Sequence, residues 1–259
     1  MCYDDRAHPP LLPEGWEGVG GGGSGEDVTL TAADGNKFMA FAAQADQPKG
    51  AQILIYPDVR GLHQFYKELA IRFADAGYTA LAMDYFGRSA GLTARDESFE
   101  YMPHVGQMTG PTFFHDVRAA VAHLRSLSPE PIFTVGFCMG GGLSLYSGME
   151  TDLGLTGVVG FYAGMKRVWD ESKGALPEAA IHTQLPVLGL FGGADPGIPN
   201  EQVQKLDEIL DQNGVSHSIH IYDGAPHSFF DRRYVEWKEA CDDAWRRIFE
   251  FIEGHKKAR

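Results

Sequence analysis

From residue 28 onward the chain alternates short apolar runs with longer stretches in which apolar residues recur every three or four positions. Two β-type runs, 28–31 and 37–43, flank the polar turn Ala33-Asp34-Gly35-Asn36, which predicts an antiparallel hairpin at a sheet edge. The run 52–56 is apolar, 65–76 has helical periodicity closed by Gly77, and 79–83 is apolar again, forming a β-α-β unit. The rhythm then predicts a helix over 113–127, a strand at 132–135, a helix after Cys138 and a strand at 157–162. A strand at 186–191, a helix at 201–213, a strand at 216–222 and a closing helix over 233–253 complete it, for eight strands in all. Short apolar strands alternating with amphipathic helices need cover on both faces and place ligands beyond the strands' C-terminal ends. The expected fold class is therefore α/β, a mainly parallel eight-stranded sheet with helices on both faces. The segment between Tyr162 and Pro186 is too short for a large lid domain.

Residues 1–27 break this pattern. They are rich in Pro and Gly, with a Gly/Ser stretch over 20–25, and read as a flexible N-terminal arm ahead of a single domain, 28–259. A chain of 259 residues can bury one full core, and 44% hydrophobic with 22% charged residues is an ordinary globular balance. Thirty-five acidic residues against 22 Lys and Arg leave a charge of −13, so no long-range field draws nucleic acid or an anionic membrane. Small molecules are the expected partners, with the protein acting as a monomer or weak homodimer. The N-terminus lacks the basic region and apolar run of a secretory signal, and no later run is long enough to span a membrane, so the expected location is cytoplasmic. Cys2, Cys138 and Cys241 are too scattered for a disulfide framework or a zinc knuckle. The histidine pairs His115/His123 and His217/His220 have no metal-ligand spacing, and no metal is expected.

Chemistry should sit just after strands. Gly136-Phe137-Cys138-Met139-Gly140 follows the 132–135 strand and precedes a helix, the setting of a nucleophile elbow. Such a turn strains its central residue, and small residues two before and two after it avoid clashes with the adjoining strand and helix. The free N–H groups at the following helix's start favour an anion, whether a thiolate or the oxyanion formed after attack. Met139 N–H is one expected oxyanion donor. A cysteine in an arbitrary setting is most often a small buried hydrophobe; the setting here argues for a nucleophile. His227, in Asp223-Gly224-Ala225-Pro226-His227-Ser228-Phe229, follows the last strand and is the expected general base among 10 histidines. Asp195, in Phe191-Gly192-Gly193-Ala194-Asp195-Pro196, follows the preceding strand and is the expected orienting acid. Asp223 competes, but it shares the histidine's own loop, whereas an orienting carboxylate normally comes from a neighbouring strand end. Tyr56-Pro57-Asp58-Val59-Arg60-Gly61 follows the first central strand and should lie beside the elbow, with Val59 N–H as second oxyanion donor and Asp58 near Cys138.

Together the segments GxCxGG, GGxDxxxP and GAxHSF, each after a successive strand, resemble the dienelactone hydrolase family over nearly the whole chain from about residue 28. The resemblance implies an α/β-hydrolase fold, a triad of Cys138, Asp195 and His227, hydrolysis of a carboxymethylenebutenolide lactone to an oxo-acid, and no cofactor. It also implies that an acid after the first central strand contacts the resting thiol and helps activate it. Asp58 stands there, where the family's typical residue is glutamate. The family's dienelactone enzymes hold the substrate carboxylate with arginines, one of them shortly after the histidine segment; here Phe229-Phe230-Asp231 places Arg232 one step late. Arg60, Arg88 and Arg232 are candidate anion binders by position. Tyr85, Tyr101 and His104, in the long loop after the strand ending near Met83, are candidates to shape the substrate pocket.

A thiolate is itself a good leaving group, so its attack on an ordinary ester tends to reverse. Substrates with a stabilised leaving group, such as the enolate of an activated lactone, suit a Cys nucleophile best, by way of a thioester acyl-enzyme. The same triad would serve a broad carboxylesterase or thioesterase, which only substrate profiling separates. A catalytically silent hydrolase-fold binding protein is the reading from another class; an unreactive Cys138 thiol would mark it.

Overall fold

The computed structural model describes residues 6–16, 18, 24–231 and 233–256; Cys2 and Arg232 lie outside the described residues. The apolar runs become the strands β1 (Ser24–Thr31), β2 (Lys37–Gln44), β3 (Gln52–Tyr56), β4 (Thr79–Met83), β5 (Ile132–Phe137), β6 (Gly157–Phe161), β7 (Val187–Gly192) and β8 (His217–Tyr222). They form one sheet in the order β1-β2-β4-β3-β5-β6-β7-β8. β1 and β2 pair antiparallel, as do β2 and β4, and every pairing from β4 to β8 is parallel. Every residue of β3, β5, β6 and β7 is buried, as strands covered on both faces must be. β1 and β8, at the edges, are largely solvated or half-buried.

The helices are α1 (Gln64–Asp75), α2 (Gly87–Ala90), α3 (Met102–Val105), α4 (Gly110–Leu127), α5 (Met139–Ser147), α6 (Asn200–Gln212) and α7 (Lys238–His255). Successive strand residues point to opposite faces, and β5 sorts the helices accordingly. Phe133 meets Phe251 of α7, with ring centroids 5.9 Å apart, while the Thr134 hydroxyl lies 2.7 Å from that of Ser144 in α5. Phe73 of α1 packs edge-on to Trp245 of α7 at 5.1 Å, so α1 and α7 share one face. Tyr56, paired with Gly136, sends its ring against Phe113 of α4 and its hydroxyl to Ser147 of α5, so α4 and α5 share the other.

Three elements differ from the sequence expectation. β1 starts at Ser24, inside the Gly/Ser stretch read as arm, because Gly25 is a pairing residue: a Cβ there would stand 2.3 Å from the Phe41 ring that lies over it. Residues 6–16 lie along the domain instead of leaving it. Ala7 and Leu12 are buried, Trp16 stacks on Phe249 at 4.0 Å under the Lys49 ammonium, and His8 N–H donates to Asp231 Oδ1 at 3.3 Å. Trp16 and Leu12 carry apolar surface that a composition of Pro and Gly conceals. The closing helix begins at Lys238, after the 3-10 turn Val235–Trp237, five residues later than its periodicity suggests. Among the described residues no helix is long and apolar enough to cross a membrane.

The loops beyond the strand ends are fixed by buried charge. Asp84, next after β4, accepts from Leu62 N–H at 3.1 Å, Phe86 N–H at 2.9 Å, Arg95 Nε at 3.1 Å and Arg95 Nη2 at 2.9 Å. Neither side chain is exposed. The ion pair braces the loop after β4 internally, and the Leu62 N–H bond to the same carboxylate ties the loop after β3 to it. Arg95→Met leaves a buried carboxylate without its cation and is expected to lower the unfolding free energy by about 3–5 kcal/mol. Denaturant titration checks this, and a loss below about 1 kcal/mol would mean that Asp84 finds other compensation.

Candidate active site

The turn between β5 and α5 is built by what it excludes. Cys138 takes φ 56° and ψ −114°, a left-handed conformation that costs a non-glycine residue of order 1–3 kcal/mol and persists only where the surroundings impose it. A Cβ on Gly136 would lie 2.0 Å from Gly140 O, and one on Gly140 would lie 2.1 Å from Pro57 O and 2.3 Å from Tyr56 O. A side chain at Gly136 would push α5 off β5, and one at Gly140 would push it off the end of β3. The Cys138 amide donates to Phe161 O at 3.1 Å, and its carbonyl accepts from Gly142 N at 3.1 Å and Gly164 N at 2.8 Å. The strained residue is therefore pinned at both backbone groups, at the head of a helix whose residues are all buried.

Asp195 follows β7 and His227 follows β8, two and three strand ends from Cys138. His227 Nδ1 lies 2.5 Å from Asp195 Oδ2, and the other Asp195 oxygen accepts from Gly197 N at 2.8 Å. With the carboxylate ionised, Nδ1 carries the proton and the Nε2 lone pair is left to act as a base. The Asp195 side chain is 2% exposed and that of His227 21%, so the carboxylate is sheltered and the imidazole accessible. Asp223, the competing acid, is exposed. Topology alone puts Cys138, Asp195 and His227 at one edge of the sheet, after β5, β7 and β8, with the end of β6 between.

The loop after β3 forms the facing wall. Asp58 is fully buried, and its carboxylate is held by its neighbour: Arg60 donates from its backbone N at 2.9 Å, from Nε at 3.3 Å and from Nη2 at 3.1 Å. The Tyr66 hydroxyl accepts from Asp58 N–H at 2.9 Å. Val59, between Asp58 and Arg60, is partly buried, and Met139 is the first residue of α5. Tyr85 closes the corner. Its hydroxyl donates to Pro57 O at 2.7 Å, and burial, with the charges of Asp58, Asp84 and Cys138 in reach, holds its proton well above the usual phenol range. Among the described residues no group of three or more His, Cys, Asp or Glu side chains is placed to hold a metal.

The profile of the dienelactone hydrolase family matches residues 38–256. The chain belongs to that family. A "Putative carboxymethylenebutenolidase" of Saccharolobus solfataricus is 28% identical over 257 residues, covering 85% of this chain and 95% of its own. A carboxymethylenebutenolidase of Rhodococcus opacus is 29% identical over 221 residues, covering 82% of this chain and 84% of its own. Among solved structures, a "Putative Dienelactone Hydrolase" of Klebsiella pneumoniae subsp. pneumoniae superposes with a TM-score of 0.73 at 21% identity, covering 89% of this chain and 99% of its own; this likeness concerns the fold. The protein is thus a hydrolase of the ester- and lactone-cleaving kind, on an α/β-hydrolase fold.

Within this hydrolase the other expected substrate contacts separate. Arg88 turns away from the strand ends: it bonds Asp34 in the hairpin turn and Asp116 Oδ1 in α4 at 2.7 Å, so its charge serves to fasten the β1–β2 hairpin to α4. Burial pushes the Asp116 carboxyl up, and the contacts from Asn36 and Arg88 oppose that. His104 is held by Ser89 Oγ at 3.0 Å and stacks on Phe99 at 5.0 Å. With Tyr85 and Arg88 it lines a small cleft behind the loop after β4. Tyr101 starts α3 and is partly buried. Arg232 lies outside the described residues. Asp84, Arg95 and Tyr162, the last directly after β6, carry no local pattern that marks them in the sequence. For Tyr162 the signal is its place, an aromatic residue at the same sheet edge as the chemistry, directly before Ala163-Gly164.

Cys241 belongs to the core. Its thiol donates to Phe229 O at 3.4 Å, and burial pushes its pKa up to about 12. At pH 8 only about one molecule in 10⁴ then carries a thiolate there. Peptide mapping after iodoacetamide treatment should find Cys241 unmodified in native protein and modified in denaturant. Rapid native labelling would show that α7 opens locally.

Proposed function

We propose that this hydrolase opens activated lactones and esters, carboxymethylenebutenolides among them, through a thioester on Cys138. The observation that carries the reading is the His227–Asp195 contact of 2.5 Å at the same sheet edge as a left-handed cysteine flanked by obligatory glycines. His227 Nε2 takes the Cys138 proton, and the thiolate attacks the carbonyl carbon. The N–H groups of Met139 and Val59 receive the charge that develops on oxygen. Collapse of the tetrahedral adduct expels the enolate or alkoxide, which regains its proton from His227. Water, deprotonated by the same imidazole, then cleaves the thioester and restores the thiol. Asp195 holds the ring in the needed tautomer throughout.

Asp58 activates the nucleophile in this reading only when its carboxylate leaves Arg60. An anionic group on the substrate, pairing with Arg60, supplies that exchange: one carboxylate takes the guanidinium and the other is freed toward Cys138. The buried Arg60–Asp58 pair supports it, because a carboxylate with no exposed area that shares its cation becomes a stronger hydrogen-bond acceptor, able to hold the Cys138 thiol in place while His227 takes its proton.

Cys138→Ala is expected to abolish turnover of dienelactone and aryl esters, and Asp195→Asn to lower kcat by about 10²–10⁴-fold with little change in folding. Intact-protein mass spectrometry during turnover should find an acyl adduct that maps to Cys138. Undiminished turnover by Cys138→Ala ends the proposal.

A further inference from the structure

The segment 161–164 touches both the elbow and the histidine, and no step above uses it. Its backbone grips Cys138 from two sides: Phe161 O accepts the Cys138 amide at 3.1 Å, and Gly164 N donates to the Cys138 carbonyl at 2.8 Å. Between these contacts stands Tyr162, fully buried, with φ 32°. A positive φ is unusual for a bulky residue and marks a conformation forced by its surroundings. Its own N–H is fixed to Leu190 O at 2.8 Å, so β7 anchors the strained residue. Its ring lies 4.8 Å from the His227 imidazole, tilted by 54°. Phe229 packs edge-on to the same ring at 5.8 Å, and Phe137, the residue before the cysteine, lies 6.2 Å away.

We infer that Tyr162 is a positioning residue for the reaction: its ring is the wall that sets the His227 imidazole relative to Cys138, in register with the backbone that holds the cysteine. Asp195 fixes the imidazole at one nitrogen, and the tilted Tyr162 ring packed against it adds a steric restraint on the ring's orientation. Because the same four-residue segment holds the Cys138 amide and carbonyl, nucleophile and base are referenced to one rigid piece of chain. The strain at Tyr162 is what lets the ring leave the strand direction and reach the histidine.

The inference rests on the Cys138–Asp195–His227 reading. Tyr162→Leu should lower kcat about 10–100-fold while KM stays within about twofold, since a displacement near 1 Å penalises the transition state and leaves ground-state binding intact. Tyr162→Phe, which keeps the ring, should restore kcat to within about threefold. Should the branched leucine side chain fail to fit the site, Tyr162→Met, equal to leucine in volume but unbranched and able to follow the shape of the gap, also lacks a flat face and carries the same expectation. Thermal melts establish that each variant is folded. A folded Leu or Met variant with wild-type kcat overturns the inference, and so does a Phe variant as slow as the Leu variant. A dead Cys138→Ala beside an unimpaired Tyr162→Met sinks this inference alone, whereas an active Cys138→Ala sinks the underlying reading.

Discussion

The site depends first on a close approach of backbone to backbone, Gly140 against the carbonyls of Tyr56 and Pro57. Nothing larger than hydrogen fits there, so α5 sits on the end of β3 at a distance set by main-chain atoms and not by adaptable side chains. That distance forces the turn at Cys138 into its left-handed geometry and brings the first turn of α5 alongside the loop bearing Asp58 and Val59. Protein interiors resist compression, and the chain uses that stiffness to place the start of a helix, with its unpaired N–H groups, against a loop that belongs to another strand.

Around this contact the loops share one manner of construction. Asp58, Asp84 and Asp231 are each fully buried, each at a strand's C-terminal end or in the loop that follows, and each paired with an arginine of the same loop. In Asp58-Val59-Arg60 and again in Asp231-Arg232-Arg233 the arginine two residues on gives both its backbone N–H and its Nε to the carboxylate. Such a pair gains little net stability, since desolvation consumes most of the Coulomb attraction. It does remove conformations, because any rearrangement strands a charge out of water. Loops with no regular ladder are thereby held as firmly as the strands they follow.

The sheet, its eight strands and the places of Cys138, Asp195 and His227 were legible in the chain because each is encoded within a few residues: an apolar run, then a loop with its glycine or proline. Contacts between distant residues left no such trace. Arg88 looked like a free cation near the strand ends, yet its partners lie 54 and 28 residues away, and no local pattern could name them. Arg95 and Asp84 lie 11 positions apart across the short helix α2, and Tyr162 reads in sequence as one more aromatic residue at the end of a strand. Composition misled on the amino-terminal side: Pro and Gly suggested an arm, whereas residues 6–16 pack on the domain through Leu12 and Trp16, and Gly25, the last residue of the Gly/Ser stretch, belongs to β1 beneath Phe41. Legibility failed where a residue's role is decided by what folds onto it.

The N-terminal segment has a consequence for how the molecule comes apart. Trp16 stacks on Phe249 near the carboxyl end, and His8 links Asp231 in the histidine loop to Glu68 of α1. Residues 6–16 and α7 therefore cover each other. Loosening of either segment bares the aromatic surface that the other needs, so both are bound into the same cooperative unit as the loop that carries His227.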